Sequence, residues 1–231
     1  MKRKMIIGAV ALLATAGVTN AQGFAEAKFG VKGGWNSTNI TNTGSGETDE
    51  SKRLNTFNAG VVGAIPLGST FEIRTGLDLQ SKGTEVSWDN AAGKGFAKTN
   101  PLYLELPVNL AVMLPFNEKV KAYIGAGPYG AVGIAGKNKW ENTVAGVKTS
   151  SEDKIKWGDD DLNTEGNRGS GQFKRFDFGA NIIGGVDFGK FGVHAQYGLG
   201  LTNTTPGEGT NDNANKSNQH RALGVSGVFY F

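Results

Sequence analysis

The chain has 231 residues, with 36 glycines, six prolines and no cysteine, a composition that argues against a helical protein and excludes disulfides, thiolate catalysis and cysteine metal sites. Its formal net charge is +3, yet residues 1–21 hold three of the 24 basic residues and none of the 21 acidic ones. Without that segment the balance is 21 to 21, so no basic stripe points to nucleic acid as a partner.

The N-terminus carries Lys2, Arg3 and Lys4, then an apolar run from Met5 to Val18, then small residues at Thr19 and Ala21. This is the layout of a secretory signal peptide cleaved after Ala21, and the run is short of the about 20 residues that a membrane-spanning helix needs. The expected organisation is a signal peptide over 1–21 and one barrel-sized domain over 22–231.

Beyond it no segment shows helical periodicity, and eight stretches alternate apolar with polar residues: 28–36, 57–67, 70–81, 101–114, 120–134, 173–188, 191–203 and 219–231. Period-two alternation means a strand with two unlike faces. Short turn-forming links at Gly68-Ser69, Pro115 to Lys119 and Gly189-Lys190 alternate with long polar ones at 37–56, 82–100, 135–172 and 204–218. An up-and-down meander then has all short turns at one end and all long loops at the other, as in outer-membrane barrels.

One face collects apolar side chains, among them Val61, Leu106, Val108, Leu110, Ile124, Phe178, Ile182, Val193, Leu223 and Val225. The other collects Lys28, Lys32, Glu72, Arg74, Asp78, Glu105, Lys121, Arg175, Asp177, Asp187, His194 and Arg221. Near balance of sign predicts a network of pairs, with Lys32, Lys121 or Arg175 neutralising the acids on neighbouring strands. A soluble lipocalin-like barrel would place the apolar face inside, and alternation alone does not separate the two arrangements.

Three features favour an apolar exterior. Aromatic residues gather near strand ends (Phe71, Phe116, Phe188, Phe191, Phe229, Phe231), as at membrane interfaces. The charged face is rich in glycine (Gly60, Gly76, Gly125, Gly127, Gly179, Gly185, Gly198, Gly200, Gly224), as a narrow lumen requires. Finally, the last strand runs out to a terminal phenylalanine.

The segments KFGVKGGWN (28–36), PLYLELPVNLAV (101–112) and FKRFDFGANIIGGVDFGKFGVHAQYGLGLTN (173–203) resemble the small outer-membrane β-barrel proteins of Bacteroidota, the PorT or porin-family barrel domain. The runs Tyr103 to Val108 and Arg175 to Gly179 are the most specific pieces. The resemblance implies an all-β, eight-stranded antiparallel up-and-down transmembrane barrel in the cell outer membrane, inserted by the barrel-assembly machinery. Phe229 and Phe231 resemble the family's C-terminal insertion signal, with the usual nearby glycine displaced to Gly224 or Gly227.

Candidate chemistry is sparse. His194 with Ser226 or Asp187 would suit an activated serine, but no motif unites them and a structural lining role is the better reading. Asp159, Asp161 and Asn163 begin like a calcium loop, yet Thr164 and Ser170 stand where glycine and glutamate are required, so a solvated loop is expected and no metal site. The run GAGPYGAVGIAG (125–136) alternates as a strand and is no phosphate loop; its glycines make room for Tyr123 and Tyr129. Loop 135–172, with Lys139, Trp140, Lys154, Lys156 and Trp157, is the place for an extracellular ligand or host protein, or else a solvated loop.

The reading is a monomer in outer-membrane lipid with a side-chain-filled interior, no catalytic residues and no cofactor. Its role is structural or surface-binding, with a narrow channel for ions or small solutes as the alternative.

Overall fold

The computed structural model describes residues 27–42, 51–90, 93–117, 119–158, 172–204 and 218–231. The signal-peptide segment 1–21 and the acidic run from Asp159 to Ser170 lie outside the described residues. The strands are β1 (Lys28–Asn42), β2 (Ser51–Leu67), β3 (Phe71–Ser81), β4 (Thr84–Asn90), β5 (Gly93–Pro115), β6 (Val120–Val144), β7 (Val147–Lys154), β8 (Lys156–Trp157), β9 (Gln172–Phe173), β10 (Phe176–Phe188), β11 (Phe191–Gly200) and β12 (Asn218–Tyr230).

Eight of these form a closed antiparallel ring in the order β1, β2, β3, β5, β6, β10, β11, β12. The seam is closed by β12 on β1, in register from Gly30 opposite Tyr230 to Asn42 opposite Asn218. Closure removes sheet edges, so the backbone bonds of the ring are satisfied within the protein.

At one end the ring is joined by tight turns. Gly68 and Gly189 take φ of 83° and 68°, a left-handed conformation that glycine adopts without steric cost. Between β5 and β6, Asn117 Oδ1 accepts from the Lys119 and Val120 amides at 2.9 and 2.8 Å. Gly133 and Gly136 stand on either side of a register shift where Ile134 and Ala135 both face outward.

The opposite end departs from the expectation of long loops. β5 and β6 run on past the barrel, β4 and β7 flank them, and Ser51 to Arg53 of β2 pairs with the far edge of β4, so that residues assigned above to loops 37–56, 82–100 and 135–172 continue the sheet. The physical reason is that both faces of this sheet meet water. Its sequence lacks the apolar period that marks the barrel wall, while the backbone ladder continues unbroken. On its barrel-side half, Lys137 Nζ donates to Glu152 at 2.5 Å and holds that exposed carboxyl below its ordinary range.

The exterior of the ring is apolar. Phe29, Val31, Trp35, Val61, Leu106, Val108, Leu110, Ile124, Phe178, Ile182, Val193, Leu223 and Val225 are all exposed, whereas Lys32, Glu72, Arg74, Asp78, Glu105, Asp177 and Asp187 on the inward rows are buried; Lys28, at the start of β1, is exposed.

Candidate functional site

Even-numbered positions on β3 turn inward and carry Glu72, Arg74, Asp78 and Gln80 to the barrel interior. Arg74 is the centre of the layer nearer the short turns. Its guanidinium pairs with Glu72 and Asp187 and donates to Tyr230 Oη at 3.0 Å. Its carbon lies 3.3 Å from the centre of the Tyr123 ring, which in turn bonds His194 Nδ1 at 2.8 Å. A planar five-donor cation between two carboxylates and an aromatic face is a site suited to arginine rather than lysine.

Lys82 is the centre of a second layer. It sits just past the end of β3, only 2% exposed, with Nζ 2.6 Å from Glu105 and 3.2 Å from Asp177. The ammonium also lies 4.1 Å from the Tyr129 ring centre, and Tyr129 Oη donates to Asp177 at 3.0 Å. Thr202 Oγ1 completes the Asp177 shell at 2.8 Å. Glu105 accepts from Asn181 at 3.3 Å and Gln196 at 3.2 Å, while His220 Nε2 meets Tyr103 Oη at 3.2 Å.

A third ion pair adjoins the Lys82 layer. Lys32 reaches Asp78 at 2.7 Å, and Asp78 stands directly opposite Glu105 across β3 and β5. Beside them Ser226 donates to Asn58, Asn58 to Asn36, and Asn36 to Gln80, at 2.6, 2.6 and 2.9 Å. Glycine makes room for the rings: a Cβ on Gly179 would sit 2.6 Å from Tyr129 Cε1.

The outer mouth is covered by the chain that follows β7. Ile155 and Phe173 are buried, β8 and β9 pair in parallel, and Trp157 packs edge-on against Tyr103 at 5.4 Å between ring centres. Part of the segment expected to reach outward therefore folds back as a cap, while Trp140 stacks on Trp88 in the external sheet at 6.5 Å.

Of the residues expected in the interior, Lys32, Glu72, Arg74, Asp78, Glu105, Asp177, Asp187 and His194 are buried there. Lys121 is on the inward row opposite Asp187 but only half-buried at the short-turn mouth. Arg175 precedes β10 and is exposed; its carbonyl accepts from the Gly133 amide at 2.6 Å. Neither joins the interior ion pairs among the described residues.

Arg221 is corrected to the outward row. It shares parity with Leu223 and Val225 and donates to the Gly200 and His220 carbonyls at 2.8 and 3.0 Å, while His220 takes the inward place. Lys82, Tyr103, Tyr230 and His220 are interior residues that the sequence reading passed over.

The groups named for a serine nucleophile are engaged elsewhere. His194 faces Ser226 across β11 and β12, but Ser226 bonds Asn58, His194 bonds Tyr123, and Asp187 bonds Arg74 and Tyr230. The glycine-rich run 125–136 lies wholly within β6 and opens no helix.

Solved structures with a similar fold include Ail, the attachment invasion locus protein of Yersinia pestis, at 11% identity and a TM-score of 0.37. The same protein in complex with the heparin analogue sucrose octasulfate gives 12% and 0.41, and Neisserial surface protein A gives 13% and 0.38. Each comparison covers 89% of this chain and 99% of the other. No curated protein matches the chain. The model of the outer membrane protein β-barrel domain matches residues 20–205, and the chain belongs to that family.

Proposed function

We propose that this protein is a plugged outer-membrane barrel that anchors an extracellular sheet for surface contacts and conducts no solute. The observation that carries the reading is the pair of cation-centred layers, Arg74 and Lys82, spanning the lumen and tied to both walls. Eight strands enclose a space that side chains fill. In planar bilayers the folded protein is expected to show no steady conductance; a stable conducting level would replace this reading with the narrow channel.

The short turns are proposed to face the periplasm and the β4 to β7 sheet the exterior. Because the chain has no cysteine, single cysteines report orientation cleanly. On intact cells an impermeant maleimide is expected to label Lys148→Cys and spare Lys190→Cys; the reverse pattern would invert the topology.

We further infer export through a cleaved signal over 1–21, and assembly by the barrel machinery as a monomer using Phe229 and Phe231, whose side chains face outward at the seam strand. The affiliation with PorT-like barrels of Bacteroidota rests on the runs Tyr103 to Val108 and Arg175 to Gly179.

A further inference from the structure

On β5 the outward row is apolar from Leu114 to Leu102, then changes to Asn100, Lys98, Phe96 and Lys94. Opposite it on β6 the outward row passes from Ile134 and Ala135 to Lys137 and Lys139. The register sets Lys98 directly across from Lys139, and Lys137 directly across from Lys154 of β7. Two like-charged cross-strand pairs side by side destabilise a sheet unless something compensates them.

The protein compensates only in part. Glu85 meets Lys98 at 3.0 Å and Glu152 meets Lys137 at 2.5 Å. Lys139 and Lys154 are exposed and neither makes an ion pair among the described residues, although Glu152, already held by Lys137, stands directly across from Lys139. Phe96, one outward step farther from the wall than Lys98 and opposite Glu141, adjoins this group, with Lys98 and Lys139 4.8 and 5.7 Å from its ring centre. An aromatic with flanking lysines at the upper edge of an apolar wall is the arrangement that sits at a membrane interface.

We infer that Lys98, Lys137, Lys139 and Lys154 form a docking face for the anionic, phosphate-bearing headgroup of an outer-leaflet lipid. The occupant is a lipid because the same outward rows continue straight down into the apolar wall, so a headgroup held by the lysines has its acyl chains already against Leu102, Leu104 and Ile134. Charge complementarity supplies the anion, since the face carries four cations against two carboxylates. The inference rests on the outer-membrane placement and not on whether the lumen conducts.

The test uses the full folded protein in phosphatidylcholine nanodiscs doped with phosphatidic acid, with retained lipid counted by native mass spectrometry. The wild type is expected to retain phosphatidic acid over phosphatidylcholine, and K98Q/K137Q/K139Q/K154Q to lose that preference, at about fivefold in affinity for each lysine removed. The smaller change K139Q/K154Q removes only the unpaired lysines and is expected to lose about half of the effect on a logarithmic scale. K94Q/K148Q, at the far part of the sheet, is expected to bind as wild type. Heat-modifiable gel mobility confirms that each variant is folded. Undiminished preference in the folded fourfold variant overturns the inference; so does full competition by inorganic phosphate, which would mark a free-anion site. Unchanged conductance and labelling across these variants separate this outcome from failure of the plugged-barrel reading.

Discussion

Replacing Arg74 with methionine is expected to lower the stability of the folded barrel by about 3–5 kcal/mol, the cost of removing one partner from a buried ionic cluster. The size follows from what stays behind. Glu72 and Asp187 would remain nearly enclosed, 5% and 7% exposed, with no cation between them, and Tyr123 and Tyr230 would lose the group on which they pack and to which they bond. Methionine keeps much of the side-chain volume, so the loss reports charge rather than a void. Adding Glu72→Gln and Asp187→Asn to Arg74→Met should recover a large part of it, because a neutral, well-packed cluster often equals a buried ionic one. Urea unfolding in lipid vesicles, followed by gel mobility without boiling, measures both. A loss below about 1 kcal/mol, the range of a surface pair, would mean that Arg74 is hydrated and the lumen open.

How much of this was legible beforehand depends on whether the two faces of a strand meet different surroundings. In TFEIRTGLDLQ, from Thr70 to Gln80, Phe71, Ile73, Leu77 and Leu79 alternate with Glu72, Arg74 and Asp78, and the wall they build is the wall observed. The β4 to β7 sheet had no such contrast. Lys137 to Trp140 or Val147 to Lys154 read as polar loop, because water on both faces removes the period while leaving the hydrogen bonds.

Parity also marks interior positions at the strand ends. Lys82 is one inward step beyond Gln80, and counting back from Phe231 by twos reaches Arg221 on the outward row and leaves His220 on the inward one. The pairing of Arg74 with Asp187, by contrast, joins residues 113 apart in the chain. It depends on the stagger of the whole barrel, which alternation within one strand does not encode.

The second large effect is expected at Lys82, and its pattern tests whether the Lys82 layer and the Lys32–Asp78 pair act as one cluster. Lys82 serves two carboxylates, Glu105 and Asp177, both completely buried, where Lys32 serves only Asp78. Lys82→Met should therefore cost about 3–5 kcal/mol and exceed Lys32→Met, measured by the same unfolding assay. Asp78 and Glu105 stand opposite each other across β3 and β5, each neutralised by its own lysine. Removing Lys82 leaves Glu105 facing Asp78 without its counter-charge, so Glu105→Gln is expected to rescue Lys82→Met more than Asp177→Asn does, since Asp177 keeps bonds from Tyr129 and Thr202. Coupling should reach the Lys32–Asp78 pair through the same contact. Lys82→Met with Lys32→Met, which together strip both cations from the facing carboxylates, should cost more than the two single losses combined, whereas Lys82→Met with Arg74→Met, which share no partner, should add to within about 0.5 kcal/mol. Strict additivity in the first pair would mean that Lys32–Asp78 and the Lys82 layer are independent clusters.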